Sequence, residues 1–404
     1  MSSKRPLAIL LAITAILSIA VALRTSVTFP MPGYQTGTVE WALTGHVVNI
    51  FTPLAYPLFA GPAYRLAGLP GVIVLQILLH VALAGVCYRL LRELRLPPTW
   101  SAYGSLPVVL FPDLLLSVTK LWDLTLSTIL LLLFVLVCLR IAHSAPSPGW
   151  KLTTFSGLIF AAAIFCRPNL LLLLPIVPIL LMLRRTNLSA AGRAGHSALF
   201  LVIAAAGFAL LGAASHGTPY FPTNGPYNLY AGHNAQTRAA LLNHLNAEFS
   251  LAPDFYVTHP GQPLPDLEAP ERNDAYTRDA ILFAVHHPGE ELKLFALKLF
   301  TFFRPDTKLH ALSSPFGLVK SFLALPIFLF LAALLLPGRP PLSFEDKLLF
   351  ALEVVYILPF LITNSDPRFR MPLDALLLLH SVSLLYRRRV ARLAPASASM
   401  PQTM

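Results

Sequence analysis

Charge is what this sequence has least of. Only 12% of its 404 residues are Asp, Glu, Lys or Arg, against about 25% in soluble domains. Acids are scarcer than bases, 19 to 30, and Glu40 is the sole Asp or Glu between residues 24 and 70. Cysteine is rare too. Cys87, Cys138 and Cys166 fall in or beside apolar runs, without metal-ligand spacing or a disulfide framework, so they read as buried free thiols. No Gly/Ser linker, low-complexity tract or internal repeat divides the chain. The motif G-x-x-x-x-G-K-[ST] is absent, which speaks against hydrolysis of a cytosolic nucleotide, and so are G-x-S-x-G, H-E-x-x-H and C-x-x-C. Any energised substrate must therefore arrive already activated.

What the chain does have is hydrophobic length. With 55% apolar residues in runs that recur from end to end, it reads as an all-α polytopic membrane protein. The net charge of +11 does not point to nucleic acid, because the bases sit mostly between the apolar runs, where they write topology. Lys4 and Arg5 before Leu7–Leu23 fit an uncleaved N-terminal anchor. Further spans are expected near 70–88, 99–117, 121–141, 197–214, 317–337, 348–364 and 371–386. The run 152–183 would make a helix of about 48 Å, against a hydrocarbon core of about 30 Å. Arg167-Pro168 interrupts it midway, and a proline disfavours helix in the residue before it. Two short helices meeting at Arg167 near the outer surface give ten spans. That count keeps Arg89, Arg92, Arg95, Arg140, Lys151, Arg184, Arg185, Arg193, Arg339, Lys347 and Arg387–Arg389 inside, with both termini in the cytoplasm. The expected parts are a bundle over 1–214 with an outer loop 24–69, a large outer segment 215–316, and a C-terminal membrane part 317–404 whose end is a disordered tail.

Chemistry then belongs on the outer face. The stretch TPYFPTNGPYNLYAGHNAQT (Thr218–Thr237) contains no acid and no Lys or Arg. It reads either as an ordered polar loop or as a wall for a neutral polyhydroxyl ligand, with amides of Asn224, Asn228 and Asn234 and rings of Tyr227 and Tyr230. Farther on, 280–285 and 292–303 carry apolar residues at helical spacing with interleaved bases, as in helices lying on a membrane. Lys293 fits plain headgroup attraction; Lys298 and Arg304 are candidates for a lipid phosphate. Arg167, Arg368 and Arg370 also stand at expected membrane boundaries on that face, where they either snorkel or converge on an anion. Asp366 and Asp374 are alternative partners for these arginines. His286 and His287 are adjacent, so on a helix they point in different directions and do not make a metal site.

Several of these stretches, in this order, resemble the bacterial membrane glycosyltransferases of the GT-C superfamily, distant relatives of protein O-mannosyltransferases and of the lipid A aminoarabinose transferase. The resemblance covers most of residues 1–390. It rests on an outer loop with a carboxylate, TPLAYPLFAGPAYRLAG (Thr52–Gly68), FPDLLLSVTKLWDLTLS (Phe111–Ser127), CRPN (Cys166–Asn169), GPYNLYAGHN, DAYTRDAILFAVHHP with LKLF, and DPRFRMPLDALL. It implies a helical bundle with amphipathic outer-loop helices around a cavity. It also implies transfer of a sugar from a polyprenyl-phosphate donor to an acceptor outside the cytoplasm, in the inner membrane of a bacterium. An acid in the first outer loop serves as base, and Arg or Lys stabilises the leaving phosphate without a requirement for metal or other cofactor. The pattern Gly-Tyr/Trp-acid would place the acid at Gln35, after Tyr34, and glutamine cannot accept the proton. Either Glu40 has taken the role, with Asp123 next in line, or the chain handles lipid-linked sugars without transfer, as a flippase-like protein or a transporter.

Overall fold

The structure, a computed structural model, describes residues 4–28, 32–144, 148–183, 188–244, 247, 270–304, 324–338 and 340–393. Arg184, Arg185, Arg339, the start of the 317–337 run, much of the outer segment and the C-terminal tail lie outside these. Among the described residues the chain is helical, and one parallel bridge between Thr28 and Lys120 is the β pairing present.

The N-terminal half comprises α1 (Lys4–Arg24), α2 (Pro32–Thr44), α3 (Ala55–Glu93), α4 (Pro98–Val109), α5 (Pro112–Leu116) and α6 (Leu124–His143). The span expected over 70–88 is the second part of α3, whose first part already begins within the outer loop. A kink separates them at Ala67-Gly68, where Gly68 takes φ +61°, a left-handed value that a Cβ would strain. The span expected over 99–117 is likewise broken, because Pro112 ends the helical run at Leu110-Phe111.

Next come α7 (Trp150–Cys166), a 3-10 turn Pro168–Leu173, α8 (Ile176–Leu183) and α9 (Ala190–His216). The long apolar run does break at Arg167, which is extended at φ −140°, ψ 97°. The segment expected on the outer face folds as α10 (Asn224–Gly232), α11 (Thr237–His244), α12 (Asn273–His286) and α13 (Pro288–Phe303). The two amphipathic stretches fall on α12 and α13. The chain closes with α14 (Leu325–Leu335), α15 (Phe344–Ile362), a 3-10 turn Pro367–Arg370 and α16 (Met371–Leu393).

Five helical segments are long and apolar enough to cross a bilayer: α1, α3, α6, α9 and Arg368–Leu393. The segments Trp150–Cys166, Pro168–Leu183 and Leu325–Leu335 are apolar but shorter. With those three the count reaches eight, so ten crossings require α4 (Pro98–Val109) and α15 (Phe344–Ile362) to cross as well. The protein is an integral membrane protein. Ile9, Ile16, Leu210 and Leu335 stay exposed on helix faces, as lipid-facing side chains do. The core lies elsewhere: α6 is apolar all round and is buried between α3, α7 and α16, with Phe134 against Phe160 and Phe160 against Phe200.

One buried charge pair ties the outer segment to the last helix. Arg370 Nε lies 2.9 and 3.0 Å from the two carboxylate oxygens of Asp374. Its Nη1 donates to the carbonyls of Phe302 (3.0 Å) and Arg304 (2.9 Å), the orphan acceptors at the end of α13. Removing one partner of such a pair leaves an uncompensated buried charge. Arg370→Ala should therefore lower stability by about 3–5 kcal/mol, read as a fall in the detergent-solubilised unfolding midpoint. An unchanged midpoint would show that this clasp contributes nothing.

Candidate functional site

A cavity forms where α2, the 51–53 loop, the start of α6, the Arg167 break, α10 and the 363–369 turn meet. Its lining includes Tyr34, Phe51, Thr52, Trp122, Asp123, Arg167, Asn169, Asn224, Tyr227, Asn228, Thr363, Asn364, Arg368 and Phe369. Segments far apart in sequence are pinned together to make it. Thr28 N–H donates to Thr119 O and Leu121 N–H to Thr28 O, both at 2.9 Å, which fixes the turn before Asp123. Gln76 Nε2 donates to Tyr56 Oη at 2.9 Å and reaches Trp122 O at 3.5 Å. Thr223 N–H donates to Ile50 O at 3.1 Å, Leu54 N–H to Tyr220 Oη at 2.9 Å, and Phe51 meets Tyr227 edge-on at 5.4 Å. The end of α10 approaches the opposite wall so closely that a Cβ on Gly232 would stand 2.0 Å from Thr363 O. Only glycine admits that contact.

The centre of the cavity is an ion pair. Asp123 occupies the N-cap position of α6, where Asp ordinarily accepts from the helix's own N–H groups, yet its side chain makes no cap hydrogen bond. It turns instead to Arg167. Nη2 donates to Oδ1 at 3.3 Å, and Nε stands 2.9 Å from Oδ2. The buried Nε–H is not aligned on an acceptor, so charge and one long hydrogen bond hold the pair. The Tyr34 hydroxyl neighbours Asp123; burial and this carboxylate raise its pKa well above that of an ordinary phenol, so it remains a donor. Asp123 is the sole carboxylate among the lining residues, and it is 4% exposed.

The second guanidinium of the cavity, Arg368, lies over the Phe369 ring, 5.1 Å from its centroid, with Nε 3.7 Å from Asp366 Oδ2. The amides of Asn169, Asn224, Asn228 and Asn364, together with aromatic rings, line the rest. Such a surface can hold an anion at one end and hydroxyls at the other.

The structure thus gathers Tyr34, Asn224, Tyr227, Asn228, Arg167 and Arg368 around one space, with Asp123. It does not bring Glu40 there. The buried face of α2 carries Tyr34, Thr38 and Ala42, and Glu40 lies about 120° away from Tyr34 around the helix. Its carboxylate accepts from Val48 N–H at 3.0 Å, stapling the loop after α2. Gln35 is exposed beside that face. Tyr230 stacks on Tyr276 at 5.1 Å, and Asn234 shapes the turn between α10 and α11, donating to Tyr230 O at 2.8 Å. Arg370 is engaged by Asp374, while Arg304 packs on Phe300, 5.1 Å from its ring centroid, outside the lining. The signal for the cavity's further amides was their place by the motifs: Asn169 closes CRPN, and Asn364 stands two residues before DPRFRMPLDALL.

Lys298 is 1% exposed, behind the cavity wall rather than in it. Its Nζ lies 3.2 Å from His233 Nε2, and His233 Nδ1 lies 2.8 Å from Glu291 Oε2. His233 Nε2 also meets the carbonyl of Ile362, so this chain of groups ties α10 and α13 to the end of α15. Among the described residues no group of His, Cys, Asp and Glu has the makings of a metal centre.

No family model matches the chain, and neither does any curated protein. Among solved structures, the crystal structure of ArnT from Cupriavidus metallidurans bound to undecaprenyl phosphate is similar, at 13% identity and a TM-score of 0.43, over 95% of this chain and 77% of that one. At that identity and score the likeness does not bear on function.

Burial lowers the Lys298 pKa from 10.5 to about 8, against the opposing pull of Glu291. The folded protein releases this proton first, while the unfolded chain keeps it up to its ordinary pKa. Stability should therefore rise as pH goes from about 8 to 10.5. In a Lys298→Met variant that rise should be missing. Parallel unfolding midpoints of the two proteins across this window would remove the assignment.

Proposed function

We propose that the protein is a membrane glycosyltransferase that moves a sugar from a polyprenyl-phosphate carrier to an acceptor outside the cytoplasm. The observation that carries the reading is the juxtaposition, in one cavity, of Arg167 and Arg368 with Asp123 and a wall of amides and aromatic rings. The guanidiniums receive the carrier phosphate, and the amides with Tyr227 receive the sugar. The motif order in the sequence agrees with this assignment. So does a bilayer-embedded bundle whose bases favour ten crossings, both termini in the cytoplasm and the cavity on the outer side of a bacterial inner membrane. The acceptor is a glycan, a lipid or a protein.

In this reading the acceptor oxygen bonds to C1 of the sugar as the C1–O bond to phosphate breaks. The bonding pair leaves with the phosphate, whose charge the arginines stabilise, and the acceptor proton passes to a carboxylate. No step requires a metal. We assign the carboxylate to Asp123, because it faces the cavity and Glu40 does not. A flippase-like protein without transfer is the second reading. It is favoured by Gln35, which leaves α2 without an acid next to Tyr34.

Reconstituted protein supplied with polyprenyl-phosphate sugar separates these cases. Asp123→Asn should lower transfer by a factor on the order of 10²–10⁴, whereas Glu40→Gln should leave it nearly intact. The reverse pattern would return the role to Glu40, and gain only in Gln35→Glu would mark a degenerate transferase. In a deletion strain, mass analysis should show polyprenyl-phosphate sugar accumulating. Unchanged lipid-linked and surface sugar pools would sink the proposal.

A further inference from the structure

Resting on the reading above, we infer that Asp123 is the resident counter-ion of an anion subsite at Arg167, and that a phosphate ester on a lipid carrier displaces it. Three observations point this way. Arg167 lies in extended backbone at a helix break, so its guanidinium is offered to the cavity, not spent on a helix surface. Its Nε–H is buried without an aligned acceptor, although a carboxylate oxygen is 2.9 Å away, and the remaining hydrogen bond is long at 3.3 Å. A phosphate offers oxygens that a planar fork can engage in line, which this carboxylate does not. Finally, Asp123 has somewhere to go. It stands before α6 without capping it, in helical backbone that does not suit a cap, so no helix N–H competes for its carboxylate and a side-chain rotation toward the Tyr34 hydroxyl frees it from Arg167.

The site thus has two arrangements. Without ligand, Asp123 neutralises Arg167 and keeps a largely enclosed cation paired. With a phosphate ester bound, Arg167 and Arg368 hold the anion, and Asp123 is released beside the Tyr34 hydroxyl. A carboxylate detached from a guanidinium is a better proton acceptor than one attached to it. Donor binding therefore unmasks the base at the moment when a sugar is present to be attacked. Until then Asp123 competes with the ligand for the same guanidinium.

Competition fixes the sign of an effect that a structural salt bridge would reverse. The experiment measures binding of undecaprenyl phosphate to the full-length protein in phosphatidylcholine nanodiscs, with inorganic phosphate as a parallel ligand. Asp123→Asn should bind the lipid phosphate about tenfold or more tightly than wild type, because the competitor's charge is gone. Asp123→Ser should gain similarly and guards against a folding defect peculiar to the amide. Arg167→Gln should bind weakly, and adding Asp123→Asn to it should restore nothing. Inorganic phosphate should follow the same order at much lower affinity; equal affinity for both ligands would overturn the lipid carrier as the source of the anion. If wild type binds undecaprenyl phosphate but both Asp123 variants bind equally or more weakly, the exchange is wrong while the transferase reading stands. If no protein binds it, both fall.

Discussion

The pairing of Arg167 with Asp123 joins two helix ends that have little else in common. One is the break in a hydrophobic run too long to cross a bilayer in a single pass, and the other is the start of the most enclosed helix of the bundle. A guanidinium and a carboxylate this far from bulk water are each costly alone and tolerable together. Wherever one goes, the other must follow. This constraint sets the cavity's floor, because Trp122, Asp123, Arg167 and Asn169 arrive with the two helix ends.

The walls come from elsewhere and are held by backbone contacts more than by side-chain packing. The loop 45–54 is pinned to the segment 215–223 through Val47, Ile50 and Leu54, so Phe51 and Thr52 face Asn224 and Tyr227. On the other side Gly232 presses against Thr363, with Lys298 and His233 bracing the contact from behind. Two buried cations of the outer segment and its neighbouring turn, Lys298 and Arg370, thus hold the walls, while two others, Arg167 and Arg368, face the space between them. Residue type alone does not separate these roles. Depth and partner do.

That division explains what could be read from sequence. The helix break at Arg167-Pro168 was legible because proline chemistry and bilayer thickness act locally and agree. So were the helical stretches 280–285 and 292–303, from apolar spacing. The clasp of Arg370 by Asp374 lies one helical turn apart and was visible as an alternative. Facing was harder to read. Glu40 is the one acid of its loop, yet its direction depends on how α2 docks against α3, which is a tertiary matter. Asp123 was named only second because the resemblance looks for the acid in the first outer loop, and the direction of its side chain is likewise a tertiary matter. Which of Lys298, Arg304, Arg368 and Arg370 reaches the cavity is decided by packing between segments some 65 residues apart, a distance over which no local pattern reports.

The shortness of α7 has a mechanical consequence. Its 17 residues rise about 25 Å, less than the roughly 30 Å of a typical hydrocarbon core. If α7 is one of the ten crossings expected from the bases, a bilayer around it must thin to meet it, and the thinning falls where Arg167 stands. A lipid whose headgroup drifts into that depression finds the guanidinium at the headgroup's own depth, so its charge never enters hydrocarbon while its tail remains among other tails. On that topology, membrane thickness, set by acyl-chain length, would bear on access to the cavity.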